Sequence, residues 1–246
     1  MIAQNDVSPQ VFLDNMLKSR GYSTQNFCSI EGAYYCKPTA LQKASYGVKL
    51  IEAIRRSDEV LLKKMLQAGI SPNPCNAFGE SAVHMVCRRG DYKLLKLFKD
   101  HGCSLQVTDD FGRTPLHDAC WTTEPPFQIV DMILTADRRL LHLVDCRGSS
   151  PLSYVGRDNW AKWIEFFQSR ADTYWPPVNV ANEGDESPPS LCWEAPHTRP
   201  IPDPPHAISI DAAQRLVTLG DDSIGERPNC SLGLALPTAV TSATME

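Results

Sequence analysis

Nine cysteines and six histidines are the side chains of this 246-residue chain that could carry covalent or metal chemistry. Nucleophilic catalysis needs a Ser or Cys beside a His that a third group holds in place. Two histidines invite that reading, since His84 precedes Cys87 and His117 precedes Cys120 at the same short spacing. Zinc would use the same atoms, but the cysteines are scattered with no Cys-x-x-Cys pair, so no metal site and no cofactor are expected. There is no G-x-x-x-x-G-K-[ST] phosphate loop and no dinucleotide fingerprint. A second group of residues suits recognition instead of reaction. Arg55, Arg56, Arg88, Arg89 and Arg157 stand near Trp121 in the pattern, with Phe78, Phe111, Arg113 and Arg147 beside them. Arginine pairs bidentately with carboxylate or phosphate, and arginine and aromatics are where interface energy concentrates.

The elements that must hold these side chains are legible from a repeat. The run Asn76-Ala77-Phe78-Gly79-Glu80-Ser81-Ala82-Val83-His84-Met85-Val86-Cys87 returns as Asp109-Asp110-Phe111-Gly112-Arg113-Thr114-Pro115-Leu116-His117-Asp118-Ala119-Cys120. A third copy begins at Asp145, and a degenerate first copy near Lys43. The units fall near residues 43–75, 76–108, 109–144 and 145–173. In each, a D/N-x-x-G tip turns the chain. Thr114 with Pro115 then starts an inner helix, the threonine as cap and the proline where its missing N–H costs nothing. Outer helices follow with apolar residues at helical spacing: Leu61, Leu62, Met65, Leu66; Leu94, Leu95, Leu97, Phe98; Ile129, Val130, Ile133, Leu134; Trp163, Ile164, Phe166, Phe167. Gly69 and Gly102 sit just past two helix ends as left-handed caps. A unit this short cannot bury its own apolar stripe, so the units must stack.

These residues resemble the ankyrin repeat, whose T-P-L-H-x-A pattern is matched by Thr114 to Ala119 and in part by Ser81 to His84 and Ser150 to Ser153. The resemblance spans roughly residues 43 to 171 and implies an all-α, helix-turn-helix-hairpin solenoid that binds proteins and carries no catalytic site. It implies that His84 and His117 bond the loop of the next unit, so a histidine returning with the period is structural before it is catalytic. It also implies a concave face lined by tips and inner helices. Onto that face the register places Arg55-Arg56, Arg88-Arg89, Trp121-Thr122 and Arg157-Asp158, while Phe78, Phe111 and Arg147 come third in their tips. Arg113 follows Gly112 in the same tip. The third unit is longer, and its extra residues fall around Thr122-Thr123-Glu124-Pro125-Pro126, a rigid bulge beside Trp121.

The flanks differ in character. Residues 1–42 form a helical and irregular cap: Ser8 to Leu17 reads as a capped helix with Gly21 beyond it, a lid for the exposed core of the first unit. The stretch Tyr22 to Tyr46 resembles the flank of a poorly characterised group of algal ankyrin proteins, which implies no function. Residues 174–246 hold three basic against ten acidic side chains, a formal −7, and 11 of the 19 prolines, so this tail is expected to be disordered. Two islands interrupt it, Leu191 to Glu194 around Trp193 and Ile208 to Gly220, the second able to form two helical turns.

A non-catalytic protein–protein interaction module is therefore expected, gripping an acidic or phosphorylated protein on the arginine and aromatic face. One alternative is an autoregulated adaptor whose acidic tail occupies that face, tuned at a site such as Ser187. A nucleic-acid-associated regulator is the weaker one, because a body near +2 is a poor electrostatic footprint for it. No small-molecule substrate and no membrane are expected. Scattered, odd-numbered cysteines, no signal-peptide pattern and no long apolar run point to the cytoplasm or nucleus.

Overall fold

A computed structural model describes residues 7–31, 34–178 and 201–219. The four units stack as pairs of antiparallel helices: α3 (Val48–Arg56) with α4 (Glu59–Ala68), α5 (Ala82–Arg88) with α6 (Tyr92–Asp100), and α7 (Pro115–Cys120) with α8 (Phe127–Ala136). In the fourth unit the inner helix tightens to a 3-10 turn, Pro151–Tyr154, ahead of the long outer helix α9 (Trp160–Tyr174). The helices start where their caps dictate. Asp58 and Asp91 accept from the backbone N–H of Leu61 and Leu94 at the outer helices, and Pro115 fills the first turn after Thr114. The tips at Asn76, Asp109 and Asp145 each close through the side chain of that residue. Asp109 Oδ1 accepts from the N–H of Phe111 and Arg113, with Gly112 in the left-handed region at φ 76°. Neighbouring tips are tied by N–H bonds from Asp110 to Phe78 O and from Cys146 to Phe111 O, both 2.9 Å.

One continuous core runs through the stack. Leu62, Met65, Leu94, Leu95, Phe98, Ile129, Val130, Ile133, Trp163 and Phe167 are essentially inaccessible, as the helical spacing predicts. Fully burying such a side chain is worth about 1.5–3 kcal/mol, which only stacking secures for units of this length.

The flanks correct the expectation of a lid on the first unit. Helix α1 (Pro9–Ser19), capped by Ser8, packs against α9 and the 3-10 turn of the fourth unit. Its end is pinned there by Arg20, which bonds Asp172 at 2.7 Å and Trp175 O at 2.9 Å. From Arg20 the chain returns along the tips as a strap, meeting the units in reverse order. The strand β1 (Phe27–Cys28) pairs in parallel with β2 (Leu143–Val144). Ser29 then donates to Gly112 O at 2.6 Å, and the buried Tyr34 hydroxyl to Asp137 at 2.8 Å. A short helix, α2 (Ala40–Ala44), ends the strap at the first unit, where Gln42 O accepts from Cys75 N–H.

The expectation of a structureless tail also fails for its described part. Residues 175–178 fold against Arg20 and Tyr22. Residues 201–219 end in α10 (Ile210–Leu219), packed on α2 and α3 with Ala213, Leu216 and Val217 buried. The helix within the Ile208 to Gly220 island thus exists, because docking supplies what ten isolated residues cannot. Trp193 and Ser187 lie outside the described residues.

Candidate interaction surface

The two histidines that suggested catalysis are spent on the fold. Ser81 and Thr114 N–H groups donate to Nδ1 of His84 and His117. That leaves the proton on Nε2, which donates to Arg113 O at 2.9 Å and to Ser149 O at 3.2 Å in the next unit. Burial holds His117 well below the ordinary histidine range, at about 4. It pushes the thiols of Cys87 and Cys120 well up, so the thiolate a nucleophile needs is disfavoured there. Among the described residues, no group of three or more His, Cys, Asp or Glu side chains could hold a metal ion. No helix there is long and apolar enough to cross a membrane.

The register residues divide into three sets. Phe78 (61 % exposed), Phe111 (51 %) and Trp121 (57 %) are among the few large apolar side chains left in water, and they follow one another across the second and third units. Scattered exposed apolar residues are ordinary, but two in one repeat slot with a third in the same unit are not. Arg55 and Arg56 stand exposed at the end of α3, and Arg89 Nη2 donates to Arg55 O at 2.8 Å, tying the first two units. Arg147 is exposed on the third tip. Among the described residues, none of these four guanidinium groups forms an ion pair, so their charge is uncompensated locally.

Arg88 and Arg113 are different, because both are neutralised in place. Arg88 bonds Asp118 Oδ1 at 2.9 Å and Glu80 at 2.7 Å, and its guanidinium lies 5.7 Å from the Trp121 ring. Nε and Nη2 of Arg113 both reach Asp109 Oδ2, at 2.8 and 2.6 Å, and its guanidinium packs 5.4 Å from Phe111. They orient the aromatics more than they offer charge. Arg157 begins the 3-10 turn before α9, over Trp160 at 5.6 Å, instead of closing an inner helix. The fourth unit's shortened inner helix explains the shift.

Tyr154 completes the surface, though sequence reasoning did not single it out. Its hydroxyl donates to Asp145 Oδ2 at 2.5 Å, its ring meets Trp121 edge-on at 6.4 Å, and burial together with Asp145 pushes its phenol up to about 12. Phe111, Arg113, Trp121, Asp145, Cys146, Arg147 and Tyr154 line a groove of about 260 Å³ between the second and third of these tips and the inner helix. Small-molecule pockets usually measure roughly 300–1,000 Å³, so this groove is scaled to a side chain of a partner. The carboxylates that quench Arg88 and Arg113 were readable too. Glu80 and Arg113 occupy one slot of the repeat with opposite charge, and Asp118 fills the variable place in T-P-L-H-x-A.

The bulge of the third unit is held firmly beside Trp121. Thr122 Oγ1 lies within hydrogen-bond distance of both Ala119 O in α7 and Glu124 O, Asn159 reaches Thr123 O at 2.6 Å, and Lys162 pairs with Glu124 at 2.8 Å.

A family model described as ankyrin repeats (3 copies) matches residues 50–142. No curated protein matches the chain. Repeats of this family generally mediate protein–protein interaction and are typically non-enzymatic. With the period, the capped inner helices and the inter-unit histidine bonds, this match identifies residues 50–142 as ankyrin repeats.

Proposed function

We propose that this protein is an interaction module that grips an acidic or phosphorylated protein partner on the face formed by its tips and inner-helix ends. The observation that carries the reading is the coincidence, on the tips and inner-helix ends of successive units, of exposed Phe78, Phe111 and Trp121 with Arg55, Arg56, Arg89 and Arg147, whose guanidinium groups form no ion pair among the described residues. The aromatic groove between Phe111, Trp121 and Tyr154 takes an apolar side chain of the partner, while Arg147 at its edge and Arg55, Arg56 and Arg89 on the first two units take carboxylate or phosphate. Arg88 and Arg113 serve chiefly to set the aromatic walls. A tail that competes for this face draws no support from residues 201–219, which dock at the first unit.

The test is a panel of acidic and phosphorylated peptides with an aromatic or aliphatic anchor, screened against the wild-type chain and against Arg89→Glu with Arg147→Glu. Binding by the wild type should fall at least tenfold in the variant and weaken with salt. Equal capture by the two proteins, with helical signal unchanged, would remove these arginines from the site.

A further inference from the structure

The first unit carries a second surface, at the end of the stack remote from α9. Residues 201–219 cover it. Ala213, Leu216 and Val217 of α10 are buried against α2 and α3. The segment before the helix is fixed by three bonds: Ile208 N–H to Gly69 O at 3.1 Å, Thr39 Oγ1 to Asp203 at 2.8 Å, and Gln42 Nε2 to Ile201 O at 3.3 Å. Gly47 shows how closely the surface is cut to its occupant. Its φ of −149° is extended backbone that any residue adopts, so the turn itself does not call for glycine. A Cβ there would stand 2.5 Å from Val217 Cγ2 and 2.8 Å from Val217 O, and that second atom is backbone that cannot swing aside. The three atoms nearest to such a Cβ all belong to Val217, so the docked helix leaves no room for a side chain there.

The occupant is also held differently from the cap at the other end. Helix α1 leads straight into the strap, which is bonded to the stack from Arg20 to Gln42. Val178 bonds Arg20 at the α9 end, whereas Ile201 bonds Gln42 at the first unit, so the docked segment is far along the stack from the residues described before it. A helix of ten residues is marginal on its own, so undocking and loss of helix go together.

We propose that the α2–α3 surface is a helix-docking site closed in cis by residues 201–219, and that it accepts in trans an amphipathic helix of the same pattern from a partner protein. That pattern is a small residue followed at the third and fourth positions by Leu and Val, preceded by a proline-containing stretch with a carboxylate for Thr39. The site lies at the opposite end from α9 and does not depend on the arginine groove. Belonging to the same chain gives the segment an effective concentration of about 1 mM, so a contact with a trans Kd of about 0.1 mM is about 90 % closed and opening it raises capture about tenfold.

The experiment uses the full chain and a fluorescent peptide of residues 201–219, read by anisotropy. The wild type should bind the peptide weakly. Leu216→Asp with Val217→Asp, which opens the site from the tail side, should bind it about tenfold more tightly. Adding Gly47→Val to that variant should abolish binding. If the double aspartate variant loses more helical signal than the ten residues of α10 account for, Val217→Ala provides the same comparison with a smaller gain. Peptide binding that is absent from the opened chain, or equal in opened and closed chains, overturns the proposal. A concentration-dependent dimer of the wild type that Gly47→Val abolishes would make the occupant a second copy's own segment, and so overturn the partner assigned here.

Discussion

Replacing Arg88 by Met should destabilise the protein far more than replacing its partner Asp118 by Asn. Asp118 is 2 % exposed, accepts from Arg88 through Oδ1, and its Oδ2 has no partner among the described residues. Burial pushes its carboxyl up, while His84, Arg88 and Arg113 pull it back. Removing the guanidinium strands this carboxylate. Breaking a fully buried pair costs about 3–5 kcal/mol. Arg88 is 36 % exposed, so water entering its place recovers part of that loss, and about 2 kcal/mol is expected. Met keeps an apolar stem of similar length, which confines the loss to the guanidinium's charge and its contact with Trp121. Asp118→Asn removes the charge that needed compensation and leaves Arg88 paired with Glu80, so it should cost under about 1 kcal/mol.

Urea unfolding followed by helical signal measures both, with a shared slope as the sign that neither variant alters the extent of unfolding. Arg88→Met made in the Asp118→Asn background should lose at least about 1 kcal/mol less than in the wild type, the coupling expected of groups in direct contact. Equal costs for the two single variants, or no coupling, would refute the assignment. Arg88 would then be as free for a ligand as Arg89 is.

Two further outcomes follow from the burial of histidine and thiol groups. With His117 held at about 4 in the fold against an ordinary 6.5, the unfolded chain binds a proton that the folded one refuses between those values. Stability is thus fully present above about pH 6.5 and falls as pH drops toward 4, by up to about 1.4 kcal/mol per pH unit from this residue. His142, also lowered by burial, acts in the same direction. His117→Gln should therefore reduce, without abolishing, the slope of urea midpoints between pH 7 and 4.5, and an unchanged slope would show His117 titrating normally. Cys146, exposed on the third tip, should react with a maleimide well before the buried Cys75, Cys87 and Cys120 in the native chain, as read by peptide mass mapping. Early labelling of Cys87 or Cys120 would contradict their burial.

The repeat was legible because each unit solves the same local problem with the same residues. Thr114-Pro115 and His117 are required by one helix start and one inter-unit bond, so their meaning travels with the period. The outer helices were equally plain, since Leu94, Leu95 and Phe98 must fall on one side of a helix. What escaped the sequence is whatever depends on contacts across long separations. Nothing within Ser8 to Leu17 says which end of the stack it covers, because either exposed end offers apolar surface to an amphipathic helix. The choice rests on Arg20 meeting Asp172 and Trp175 O. Likewise Ala213, Leu216 and Val217 announce a helix but not its seat, which Gly47 fixes by lacking a side chain.

The arginine ladder shows the same limit at the candidate site itself. Counting cations by slot treats Arg88 and Arg147 as equivalent, whereas the carboxylates in neighbouring slots decide which of them retains charge for a partner. The slot before the helix cap is Glu80 in one unit and Arg113 in the next, so one tip supplies a counterion to Arg88 while the other consumes Asp109. In the next tip that slot is Ser149, and Asp145 is taken by the uncharged Tyr154 hydroxyl. Arg147 beside it therefore keeps its charge at the mouth of an aromatic groove, and selectivity for an acidic partner should concentrate there, between the third and fourth units, and diminish toward Arg88.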